Sequence, residues 1–142
     1  MSDTEKIWRR WLEGKVNYLT VKQILLIHSM VIDESGGSHG IRDYHALLAI
    51  ESLPKQAFGG QELYPDIFQK AAVYARNIIF NHPFVDGNKR TAMTAASVFL
   101  EDNDYQLIVK DGEIEKFALK IITHRLNLED IANWFKRNTK KI

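Results

Sequence analysis

HPFVDGNKRTA, residues 82–92, interrupts two stretches that otherwise read as buried helix. Before it, DIFQKAAVYARNIIFN (66–81) places Ile67, Ala71, Tyr74, Ala75 and Ile78 at helical spacing, with Pro65 as a first-turn residue. After it, KRTAMTAASVFLED (89–102) is alanine-rich and apolar on more than one face, which puts that helix in the centre of the fold. A connection between two core helices needs nothing more than a turn. This one gathers an imidazole, a carboxylate, an amide, two cations and a hydroxyl. Pro83 disfavours helix at His82 and so ends the first helix there, while Gly87 allows a tight path into the second. Gly87, Asn88, Lys89 and Arg90 then open a helix whose unpaired N–H groups and positive dipole end form an anion cradle, to which Lys89 and Arg90 add charge.

Working outward, the remaining chain also reads as helices. A short one is expected over 4–13 (TEKIWRRWLE) and stops at Gly14. Thr20 with Gln23 writes a capping box for VKQILLIHSMVIDES (21–35), whose stripe is Ile24, Ile27 and Val31. Asp43 can cap YHALLAIESL (44–53), ended by Pro54. Residues 55–64, KQAFGGQELY, have no helical period and read as a loop or small hairpin around Gly59-Gly60. DYQLIVK (104–110) is briefly extended, Asp111 can start a helix through Ile122, and Asn127 caps LEDIANWFKRN (128–138). Lys136, Arg137, Lys140 and Lys141 read as a basic helix end complementing its dipole. The expected fold class is all-α.

Composition narrows the chemistry. The 142 residues carry 19 Lys plus Arg against 18 Asp plus Glu, a net charge of +1, so affinity for anions must be local rather than global, and nucleic acid is not an expected partner. With no cysteine, disulfides, thiolate metal sites and thiol nucleophiles are excluded. The acidic start, with Asp3 and Glu5, lacks the features of an export signal, and no apolar run approaches the roughly 18 residues that span a bilayer. A cytoplasmic location without membrane attachment is expected.

Moving part of a nucleotide to a hydroxyl requires a base, a hard oxygen ligand for Mg²⁺, fixed phosphate donors and alignment of the acceptor. His82 suits the first, because an imidazole of ordinary pKa about 6.5 is largely neutral near pH 7. Asp86 suits the second, and a cap of the following helix is a lesser role that could coexist with it. Gly87 to Arg90 suit the third. The spacing is not that of a Walker A loop. The other histidines, His28, His39, His45 and His124, read as structural.

HPFVDGNKRTA resembles the signature of the Fic/Doc (Fido) family, H-x-F-x-D/E-G-N-G/K-R, and the Doc (death on curing) branch in particular. ILLIHSMVIDESGG, GIRDYHALLAIESLP and YPDIFQKAA follow the same order of elements. The resemblance implies a helical bundle with a β-hairpin flap over 18–142, preceded by an extension over 1–17. It makes His82 the base that takes a proton from a target hydroxyl, Asp86 the residue that positions Mg²⁺ and the phosphates of ATP, and Gly87, Asn88, Lys89 and Arg90 the phosphate nest. Phe84 becomes the loop's anchor in the core, and residues 55–64 the flap that aligns a target peptide as an added strand.

Departures within the motif select a reaction. Fic proteins that transfer AMP have Gly where this chain has Lys89 and a second Arg where it has Met93. Doc proteins carry the Lys, and they phosphorylate a threonine of elongation factor Tu. Near Thr94 the Doc pattern often has Asn. Self-inhibition through S/T-x-x-x-E-G/N is not expected, since Arg9 stands where Ser or Thr should be and Met93 where the paired Arg should be. The resemblance therefore implies a phosphate-transferring toxin restrained by an antitoxin. AMP transfer and a silent scaffold that only binds a partner are the rival readings.

Overall fold

A computed structural model describes residues 15–142, and the helix expected over 4–13 lies outside them. Thr20 begins α1 (Val21–Ser35). Its hydroxyl accepts from the Gln23 N–H at 3.2 Å, and the Gln23 carboxamide accepts from the Thr20 N–H at 2.8 Å, as the sequence predicts. Asp43 caps α2 (Tyr44–Ser52) by accepting from Ala46, and Pro54 lies in a following 3₁₀ turn.

The expected hairpin is present as β1 (Ala57–Phe58) and β2 (Gln61–Glu62), paired antiparallel with Ala57 opposite Glu62. Gly59 and Gly60 both have positive φ, 58° and 80°, the conformation that a two-residue turn of right-twisted strands demands.

The central helices are α3 (Ile67–Asn81) and α4 (Asn88–Asp102). Helix α3 starts two residues later than the proline signal suggests, because Asp66 takes the cap position and forms a second box with Gln69. Lys70 through Ala75 are all buried, so the middle of this helix is enclosed by neighbours on every side. Alanines 71, 72 and 75 on α3 and 92, 95 and 96 on α4 are fully covered. Such small side chains let the two backbones approach closely. Tyr74 accepts a hydrogen bond from the Leu19 N–H at 3.0 Å, tying the entry of α1 to α3, and burial pushes its phenol above the usual tyrosine range.

Two further helices, α5 (Glu113–Thr123) and α6 (Leu128–Arg137), close the bundle. Asn127 caps α6 as expected, but α5 starts from Gly112 with no side-chain cap, so Asp111 does not have the role expected of it. The basic tail is also different. Thr139–Lys141 form β4, antiparallel to β3 (Tyr105–Leu107), with Leu107 opposite Thr139. Thr-Lys-Lys has no apolar alternation, and its pairing partner lies on the far side of two helices in sequence, so no local pattern announces it. Among the described residues no helix is long and apolar enough to cross a membrane.

Candidate active site

The loop between α3 and α4 is held from several directions. His82 ends α3 in the left-handed region, φ 46° and ψ 59°, an uncommon conformation for a residue with a Cβ. Pro83 is buried beneath it. Phe84 is 1% exposed and stacks on His28, with ring centroids 3.7 Å apart and planes 4° from parallel. The structural reading of His28 is thereby borne out. Its Nε2 also lies 2.8 Å from the main-chain oxygen of Asp86. Because a carbonyl can only accept, this contact places the proton of neutral His28 on Nε2.

Asn88, 7% exposed, crosses the loop from inside. Its Oδ1 accepts from the Phe84 N–H at 3.0 Å and its Nδ2 donates to the Phe84 oxygen at 2.8 Å. Its Nδ2 is 3.5 Å from Nδ1 of His82, a long contact on the imidazole's inner side. The Asn88 amide thus faces the loop, and its main-chain N–H is what it adds to the helix end.

The connection between α1 and α2 clasps the same loop from outside. Val85 donates to the Gly40 oxygen at 2.9 Å, Ile41 and Phe84 form an isolated β-bridge, and Arg42 and Asp43 both donate to the Pro83 oxygen. Oδ2 of Asp86 accepts from the Ser38 N–H at 2.9 Å. The Asp86 side chain therefore does not cap α4, the alternative role weighed from sequence. Its other oxygen has no protein donor among the described residues, and the residue is exposed. An exposed carboxylate with one open oxygen fits a hard cation such as Mg²⁺, which takes one or two carboxylates and keeps much of its water. Sequence reading did not identify Ser38, Gly40 or Arg42 as parts of this site. Their contacts join residues about forty positions apart, a distance at which periodicity and capping say nothing.

Helix α4 begins bare. Gly87 occupies its cap position at φ 76° and offers no side chain, so the first-turn N–H groups have no partner within the helix. A Cβ at Gly87 would lie 2.9 Å from Cδ1 of Ile32, a side-chain tip that can shift, so it is the left-handed backbone that calls for glycine. Lys89 and Arg90 are exposed, and among the described residues the ion pairs, His39 with Asp33, Lys70 with Glu62 and Lys116 with Glu113, leave both cations free. From this helix end a cleft of about 520 Å³ runs between α4 and α5. Gly87 through Arg90 line its cationic end, and Met93, Thr94 and Ser97 continue along α4. Ile114, Glu115 and Ala118 form the α5 wall. Its size is in the range of small-molecule sites. His82 and Asp86 stand on the loop and do not line it.

The β1–β2 hairpin, by contrast, is open. Phe58 is 83% exposed and Leu63 50%. A residue unremarked in the sequence ties it down. Lys70, 1% exposed on α3, donates to Glu62 at 2.9 Å and to the Pro54 oxygen at 3.0 Å, and sits over the Tyr18 ring. A lysine amid the alanines of α3 was the only signal.

A family is defined by this combination of a helical bundle and a loop running from a helix-ending imidazole to a bare helix start. The model of the Fic/DOC family matches residues 18–100, more than half of the chain, and the protein belongs to that family. The resemblance read from HPFVDGNKRTA is confirmed, and the architecture is the helical Fido fold with its small hairpin. Similarity to individual proteins extends further. The chain is 34% identical over 118 residues to Toxin Doc of Mycolicibacterium smegmatis, covering 81% of this chain and 88% of that protein. It is 25% identical over 122 residues to Protein kinase doc of Escherichia phage P1, covering 86% and 95% respectively.

Proposed function

We propose that the protein is a Doc-like toxin that transfers the γ-phosphate of ATP to a protein hydroxyl, a threonine of elongation factor Tu, and thereby blocks translation. The observation that carries this reading is the bare start of α4, with Lys89 and Arg90 in no ion pair among the described residues and lining a cleft of small-molecule size, on the helix that follows the loop of the exposed His82. Phosphoryl transfer leaves little covalent chemistry to the protein and asks mainly for positioning and charge stabilisation. The N–H groups of Asn88, Lys89 and Arg90, with the two side-chain cations, hold the phosphates. His82 accepts the proton as the threonine oxygen bonds to the γ-phosphorus, the bridging P–O bond breaks, and ADP leaves. Asp86 would hold Mg²⁺, which supplies charge neutralisation on the phosphate oxygens.

Lys89 in place of Gly, and Met93 in place of the second Arg of AMP-transferring relatives, favour the kinase reaction over nucleotide transfer. The names of the two relatives, a toxin and a protein kinase, support the same reading. On it the hairpin, with Phe58 and Leu63 outward, aligns the target as an added strand. An antitoxin whose disordered tail folds on this protein as a helix is the expected partner. Leu26 and Met30, one turn apart on α1 and both more than half exposed, offer apolar surface for such a helix. Both target and antitoxin place the activity in the cytoplasm.

The test is mass spectrometry of elongation factor Tu after incubation with the protein, ATP and Mg²⁺. A phosphate adduct on threonine is expected, and an AMP adduct would replace this reading with nucleotide transfer. His82→Ala is expected to lower the rate about 10²–10⁴-fold. Retained growth arrest on expression of that variant would count against catalysis altogether.

A further inference from the structure

Pro83 leaves the end of α3 short of donors. The last carbonyls of a helix have no partner within it, and the chain usually closes them with N–H groups from just beyond the end. His82 still donates to the Ile78 oxygen, but the next residue is a proline with no N–H to give. The missing donors come from the α1–α2 connection. Nε of Arg42 donates to the His82 oxygen and Nη2 of Arg42 to the Asn81 oxygen. The main-chain N–H groups of Arg42 and Asp43 donate to the Pro83 oxygen at 2.8 and 3.0 Å. Three successive carbonyls, 81 to 83, are thus held by two adjacent residues.

His82 is the residue this arrangement fixes. A left-handed conformation strains a residue with a Cβ, so it persists only where the surroundings hold it. A forked guanidinium holding the carbonyls on both sides of the residue sets the direction in which the imidazole leaves the backbone. The guanidinium also places positive charge at the negative end of the α3 dipole, which a neutral donor could not.

We propose that Arg42 is a positioning residue for His82: its guanidinium replaces the donor that Pro83 lacks and holds the imidazole in its left-handed, outward-facing place. The functional consequence rests on the reading of His82 as the base. The positional claim does not. Arg42 is not among the residues lining the cleft, so its loss should act on turnover and not on nucleotide binding.

The experiment compares Arg42→Gln and Arg42→Lys with the wild type in phosphate transfer from radiolabelled ATP to elongation factor Tu. For Arg42→Gln we expect kcat to fall about 10–100-fold, as displacement of a reacting group by an ångström can do, with the KM for ATP within about twofold. Arg42→Lys, which keeps the charge and can reach one carbonyl, should recover part of the loss. The proposal is overturned if kcat of Arg42→Gln stays within twofold of wild type, if its fall merely follows the folded fraction measured by circular dichroism, or if lysine restores nothing. Should Arg42→Gln not fold, Arg42→Lys alone carries the test through a reduced kcat at unchanged melting temperature. His82→Ala is measured beside them. If that variant keeps full activity, the base reading fails, and a crystal structure of the Arg42 variant then decides the positional claim: His82 displaced from its left-handed conformation supports it, and His82 unmoved overturns it.

Discussion

The two connections that flank α3 are built in opposite ways. The loop after it, 82–88, has its phenylalanine buried against His28, both edges of an internal asparagine bonded to its backbone, and a second chain segment clasped along its outer side. The hairpin before it, 57–62, pairs only two residues with two, exposes its phenylalanine almost fully, and is held to the core through the Glu62–Lys70 contact. A group that must meet a reacting atom gains from having its position settled before substrate arrives. A strand that accepts a large partner gains from an open edge and freedom to adjust. Rigidity and openness are here distributed to the two ends of one helix.

Removing the anchor of the rigid side should have the largest effect. Phe84→Ala leaves a cavity beside His28 and is expected to cost about 3–5 kcal/mol, read as a lower urea midpoint at unchanged slope. A loss below about 1 kcal/mol would mean that the loop is not anchored by packing. Less is expected from Glu62→Ala, since Glu62 is about half exposed and Lys70 keeps the Pro54 oxygen. Roughly 1–2 kcal/mol should be lost, with faster hydrogen exchange confined to residues 56–63. Exchange spreading into 82–88 would show that the two connections are not independent. The smallest effect on stability belongs to Phe58→Ala, within about 0.5 kcal/mol because the ring is in water already. Its expected signature is a raised KM for the protein target with the KM for ATP unchanged, and an unaltered KM for both would remove the hairpin from target docking.

How much of this was legible depended on the distance over which each feature acts. The caps at Thr20, Asp43 and Asn127 were readable because the cap and its partner lie three residues apart. The Asp66 box was written just as locally, but the adjacent Pro65 drew the helix start to itself. The hairpin turn was readable from two adjacent glycines. Strand β4 was not, because its ladder with β3 is formed by residues on opposite sides of α5 and α6. At the site, residues 82–90 were readable as an ordered set of chemical groups. Their surroundings were not: the His28 stack, the Ser38 bond to Asp86, the Arg42 fork and the buried Lys70 all join distant segments.

The amino-acid sequence by itself determined the succession of helices, the break at Pro83 and Gly87, and the family to which those residues belong. These follow from propensity, capping and side-chain period, which act within a few positions. Only the tertiary structure decided that His82 stands left-handed on a helix end, that Asp86 turns to Ser38 instead of capping α4, and that Asn88 faces the loop. Those orientations depend on which donors and rings a distant segment brings within about 3–4 Å, and that is settled only when the core packs.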